Sequence, residues 1–151
     1  MANFNSNQFS QQRAKGYLTD KTNVNIRNCR ILPTSVNSFS LGTAVKIVNG
    51  VSKVSLVEKA LATEEIFGFI VSNFKKNTPV AGDIVEVAYD NSSLSMEAGA
   101  AIAAGALLEI VSASDKVITN AGVNVKIGMA MEQATADGDI IEVKIKTPVQ
   151  I

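Results

Sequence analysis

Two stretches of this 151-residue chain repeat the same devices in the same order. The first contains Gly42-Thr-Ala-Val-Lys-Ile-Val48, Lys53-Val54-Ser-Leu56, Phe67-Gly68-Phe-Ile70 and Gly82-Asp-Ile-Val-Glu-Val87. The second contains Gly105-Ala-Leu-Leu-Glu-Ile-Val111, Lys116-Val117-Ile-Thr119, Ile127-Gly128-Met-Ala130 and Gly138-Asp-Ile-Ile-Glu-Val143. The spacing between matching segments falls from 63 to 60 to 56, so the first copy has the longer connections. In each copy a Gly turn opens a strand, and a hairpin leads to a second strand. A Gly inside the third strand permits a bulge or a close backbone approach, and a Gly-Asp turn launches a last alternating strand. The repeat, over residues 42–89 and 105–146, predicts two similar four-strand units. Neither closes its apolar face alone, so the two are expected to pack on each other.

The strand reading is supported by composition. Of the 46% hydrophobic residues few are aromatic, and Val and Ile suit a pleated surface. Asn49-Gly50 lies between apolar runs, the strongest short hairpin signal. Ile84–Tyr89 alternates, with Ile84, Glu86 and Ala88 on one face and Val85, Val87 and Tyr89 on the other. Short helical turns are expected at most in 58–66 and 95–104, where Gly99 and small residues weaken the second. The expected fold is all-β: a small β-barrel or sandwich behind an extended N-terminal arm.

That arm, residues 1–35, is polar and basic, and 36–151 form the body. Arg13, Lys15, Lys21, Arg27 and Arg30 face only Asp20, a net +4, while the remainder carries −4. Asn, Gln and Ser dominate residues 1–25, with Phe4, Phe9 and Tyr17 spaced among them. Such a segment does not bury enough apolar area to order itself, although its aromatics can anchor it on another surface. Two readings stand side by side: a solvated tail, or an arm that meets an anionic partner through Phe4, Phe9, Arg13, Lys15, Tyr17, Lys21, Arg27 and Arg30. Nucleic acid is a poor match, because the charge is sparse and no stacking platform accompanies it. The N-terminus lacks the pattern of a signal peptide, and no apolar stretch is long enough to span a membrane, so synthesis in a reducing cytosol is expected.

The sequence is poorly equipped for catalysis. It has no His, and Cys29 is the lone cysteine. Familiar triads, zinc sites and internal disulfides are thereby removed. Phosphate-binding Gly motifs and a nucleophile elbow are lacking. Glu64 and Glu65 are adjacent and diverge on a strand or a helix. Asp137 and Asp139 flank Gly138, and two carboxylates on a turn could bind calcium, but the matching turn of the first copy keeps only one of them, as Asp83, which favours a shared turn role. No catalytic residue, cofactor or metal is expected. With no Trp and two Tyr, a sugar- or ligand-binding module is poorly supported.

The run AGDIVEVAY, EAGAAIAAGALLEIV, KVITNAG, KIGMAME and ATADGDIIEVKI resembles the capsid decoration, or structural cement, proteins of tailed bacteriophages, over roughly residues 80–147. The resemblance implies a virion protein on the outer capsid surface, made in the host cytoplasm. It would clamp neighbouring major capsid protein subunits, often as a homotrimer, with neither nucleic acid nor membrane as partner. A head-fibre base or a tail-associated β-protein is the alternative. Removal of residues 1–30 is expected to spare the body.

Overall fold

The computed structural model describes residues 15–19, 24–71, 78–112 and 114–147. They form ten strands: β1 (Asn25–Ile31), β2 (Ala44–Val48), β3 (Ser55–Lys59), β4 (Gly68–Ile70), β5 (Ile84–Tyr89), β6 (Ser93–Glu97), β7 (Leu107–Val111), β8 (Lys116–Thr119), β9 (Gly128–Ala130) and β10 (Ile140–Ile145). The first five close into a barrel of order β1-β3-β2-β4-β5, and the last five make a sheet of order β6-β10-β9-β7-β8. The protein is all-β, as expected.

The duplication is visible strand by strand. β2, β3, β4 and β5 correspond to β7, β8, β9 and β10, with the same antiparallel partners. Each unit has a fifth strand that the repeat did not reveal. β1 runs antiparallel to β5 and parallel to β3. β6 runs antiparallel to β10 and meets β8 at one parallel bridge, Ala98↔Val117, the counterpart of Ile31↔Val57. The repeat is therefore five strands, not four. Its second strand is also three residues out of register in the sequence match. Val48 pairs with Leu56 and Val111 with Lys116, so Val57 corresponds to Val117, and the Val54 match is incidental. Both Val57 and Val117 are fully buried.

Alternation explains which faces are covered. In β10, Ile141, Val143 and Ile145 are buried, and the residues between them are not. In β5, Val85 and Val87 point into the barrel with Cys29, Ile31, Val45, Val57 and Ile70. Ala88 is also fully buried, although it faces outward, because the second unit covers it. Ala44 and Phe69 likewise leave the barrel and join Leu94, Met96, Leu108, Ile127 and Val143 in a second cluster that spans both units. The barrel thus has its own core, and the second core is shared. Backbone ties reinforce the junction: Asp90 N–H donates to Thr147 O at 2.6 Å, and Val125 N–H to Ala62 O at 3.0 Å.

Three local expectations are corrected. Residues 58–66 and 95–104 contain no helix: Glu58 and Lys59 belong to β3, and Ser95–Glu97 to β6. In each, pairing with a neighbouring strand outweighs weak helix propensity. The β2–β3 hairpin exists, but six residues connect it, and Asn49-Gly50 is no two-residue turn. Residues 25–31, grouped by charge with the arm, are a barrel strand, because Cys29 and Ile31 fill the barrel.

Candidate interaction surface

The residues expected to contact a partner fall into three places. Phe4, Phe9, Arg13 and Lys21 lie outside the described residues. Lys15 and Tyr17 belong to a short segment, 15–19, that adds to the outer edge of β6. Gly16 N–H donates to Ser95 O at 2.7 Å, Ser95 N–H to Tyr17 O at 2.8 Å, and Thr19 N–H to Ser93 O at 2.9 Å. The Thr19 hydroxyl donates to Glu142 Oε1 at 2.8 Å. Leu18 pairs with Leu94 and packs on the shared core, while Tyr17 stays 39% exposed.

Gly16 fixes where this segment sits. Its φ is +81°, and an ideal Cβ there would lie 2.6 Å from the Leu41 Cβ and 2.8 Å from the Gly42 nitrogen. Only glycine fits this conformation and spacing without strain. The segment is therefore wedged between β6 of the second unit and the Leu41-Gly42 turn of the barrel.

Arg27 and Arg30 lie on β1. Three residues apart on a strand, they take opposite faces. Arg30 Nε donates to Gly82 O at 3.2 Å, while Arg27 is exposed. Buried Cys29 lies between them in sequence. Burial raises its pKa, and the charge of Arg27 opposes that only in part, so the thiol is protonated and unreactive at neutral pH.

The carboxylates act as structural ties. Asp139 Oδ2 accepts from Thr135 N–H at 2.7 Å, the Thr135 hydroxyl at 2.9 Å and Ala136 N–H at 3.1 Å. The counterpart, Asp83, accepts from Val80 N–H at 2.9 Å. The shared Asp thus closes a shared turn, while Asp137 pairs with Lys116 at 2.7 Å. Among the described residues no group of acidic or sulfur side chains is placed to hold a metal ion. A cleft of about 510 Å³ lies over Lys46, Ile47, Glu64, Glu65 and Phe67. Its Lys46–Glu64 ion pair has a counterpart at the same positions of the second unit, where Asn124 Nδ2 donates to Glu109 Oε1 at 2.9 Å. Both pairs tether the connection that crosses from the second to the third strand of a unit. The cleft follows from that tether.

Sequence reasoning missed the loop tips. Val36, Val51 and Val123 are almost wholly exposed. The signal for Val123 was the polar frame around it: Asn120 Nδ2 donates to Glu109 Oε2 at 3.0 Å and to Asn124 O at 3.0 Å, and Gly122 N–H donates to Asn120 Oδ1 at 2.9 Å.

The described residues thus form two β units with an N-terminal segment held at their junction. A family model described as phage cement protein matches residues 40–145, and the chain belongs to that family. No curated protein matches the chain. Among solved structures it is similar to the one described as the head fiber gp8.5 N base in bacteriophage phi29. That likeness has a TM-score of 0.53 at 16% identity, covers 82% of this chain and 94% of the other, and concerns the fold.

Proposed function

We propose that the chain is a non-enzymatic cement protein on the outer surface of the assembled phage head, where it clamps neighbouring major capsid protein subunits. The observation that carries this reading is the family match over residues 40–145, which spans β2 to β10. A protein that binds only the assembled shell stabilises it by mass action. Homotrimers placed in many copies would add avidity. The arm supplies Phe4, Phe9, Arg13, Lys15, Tyr17 and Lys21 as contact residues, and the barrel supplies Arg27 and Arg30. Neither nucleic acid nor membrane enters the reading, and the host cytoplasm is the expected place of synthesis.

The test uses phage heads assembled without this chain. The full chain is expected to cosediment with them and to raise the temperature at which they release DNA. The failure of the chain to bind such heads would overturn the reading. A chain lacking residues 2–14 retains every described strand and is expected to bind more weakly. Deleting 1–30 would instead remove most of β1. A second reading, the base of a head fibre, is favoured by the fold likeness to gp8.5. Electron microscopy of virions separates the two: density confined to the shell surface supports cement, and a projecting fibre supports the base.

A further inference from the structure

Because the two units share one topology, every strand edge in one has a counterpart in the other. On β6, the backbone groups of Ser93 and Ser95 turn outward and are taken by residues 16–19. The β1 residues at the same places are Ile26 and Asn28, since β1 pairs with β5 as β6 pairs with β10. Their outward direction follows from the ladder. Leu32 N–H donates to Val57 O on the β3 side, while Ile31 donates to Asp83 O on the β5 side. Even-numbered β1 residues therefore face β3, and odd-numbered ones face β5.

β3 covers only part of that edge. Its pairing with β1 begins at Cys29↔Ser55 and runs to Ile31↔Val57. Beside Ile26 no strand lies among the described residues, and Asn25, Ile26, Arg27 and Asn28 are all exposed. Among the described residues, the edge that is filled in the second unit is thus open in the barrel. Its surroundings are cationic. Arg27 is exposed on β1, and exposed Lys53 lies on the chain that enters β3 at Ser55. The acidic neighbours are Glu86, across the ladder from Asn28, and Asp90, whose carbonyl accepts from Asn25 Nδ2 at 2.6 Å; both are half-buried, whereas the two cations are exposed. The β2–β3 connection is longer than the β7–β8 one, and Val51 within it is wholly exposed.

We propose that the open edge of β1, formed by the Ile26 N–H and C=O and the Asn28 N–H, is a strand-acceptor site for an extended acidic segment of a partner protein. The segment would pair with Ile26 and Asn28 as residues 16–19 pair with β6, so backbone groups provide the contact and Arg27 and Lys53 select its charge. On the proposed function, on which the identity of the partner rests, the segment belongs to the major capsid protein.

Two arms test this. In the first, the full chain is titrated with a synthetic peptide of alternating Thr, Glu and Val and followed by amide hydrogen exchange. Protection confined to Ile26 and Asn28, lost when Lys replaces the Glu residues, is expected. Absence of that protection overturns the site, whatever the chain does with heads. In the second, Ile26→Pro removes an outward N–H and leaves the β1–β5 ladder intact. It is expected to bind chain-free heads about tenfold more weakly. Arg27→Glu, which does not touch the backbone, is expected to weaken binding in the same direction. If wild type binds heads and both variants bind equally well, the edge is not the contact. If wild type does not bind heads while the acidic peptide protects Ile26, the acceptor site stands and the proposed function fails.

Discussion

Gly68 and Gly128 occupy one place in two successive units, and each lies under the carbonyl of the residue that follows the same Val of the closing strand. A Cβ on Gly68 would collide with Ala88 O, and one on Gly128 with Lys144 O. In both cases the obstacle is backbone, so no rotamer change relieves it. Gly68→Ala and Gly128→Ala are each expected to destabilise the fold by about 1–3 kcal/mol, the usual cost of overpacking. Urea unfolding should show a lower midpoint at unchanged slope.

What the sequence revealed follows from how local each signal is. The GDIVEV and GDIIEV segments were legible because a Gly turn, an Asp that closes it and period-2 alternation all lie within six residues. Gly82 and Gly138 indeed have φ of +88° and +94°. The β3–β8 match was wrong by three residues because register depends on the length of the preceding hairpin, while Lys-Val pairs recur by chance. At β1 the alternation of Ile26, Cys29 and Ile31 is loose but legible, and the charges of Arg27 and Arg30 grouped it with the arm rather than the barrel. β6 was read as helical because a window starting at Ser95 omits Leu94, whose alternation with Met96 marks the strand. Arg27 was named as a contact residue for its charge within the arm, whereas the strand edge beside it depends on where β3 begins and is absent from any local pattern.

The wedge at Gly16 predicts a separable effect. Gly16→Ala places a methyl against Leu41 in a backbone conformation that alanine adopts poorly. The 15–19 segment should lift from β6 while both cores remain packed. Hydrogen exchange is expected to accelerate at the Thr19 and Ser95 amides and to stay slow at Val87 and Val143. Acceleration throughout the second unit would mean that the segment is integral to that unit.

Glu109 is 4% exposed and accepts from Asn120 Nδ2, the Ala121 amide and Asn124 Nδ2. All three are donors, so Glu109→Gln must turn an NH₂ toward at least one of them. The substitution is expected to cost about 1–3 kcal/mol, as for a buried polar group left unpaired. It should also loosen the 120–124 loop, seen as faster exchange at the Ala121 amide. In the first unit the equivalent tie is the Lys46–Glu64 ion pair on a more exposed face, and Lys46→Met should cost less.

Acid sensitivity follows from two carboxylates with lowered pKa values. At Asp139, hydrogen bonds from the Thr135 backbone and hydroxyl and from the Ala136 amide lower the pKa below its ordinary 3.8. At Glu58, burial acts in the raising direction but is outweighed by hydrogen bonds from Ser35, Asn37 and the Lys59 amide and by the charge of Lys46, so it lies below 4.5. A group whose folded pKa is depressed stabilises the fold fully above its unfolded pKa and loses that contribution as pH falls through the folded value. Stability is therefore expected to be level above about pH 5 and to fall progressively below pH 4. Asp139→Asn and Glu58→Gln should each lower the neutral-pH melting temperature and flatten the acid limb. An acid limb of unchanged slope in the double variant would place the sensitivity in other groups.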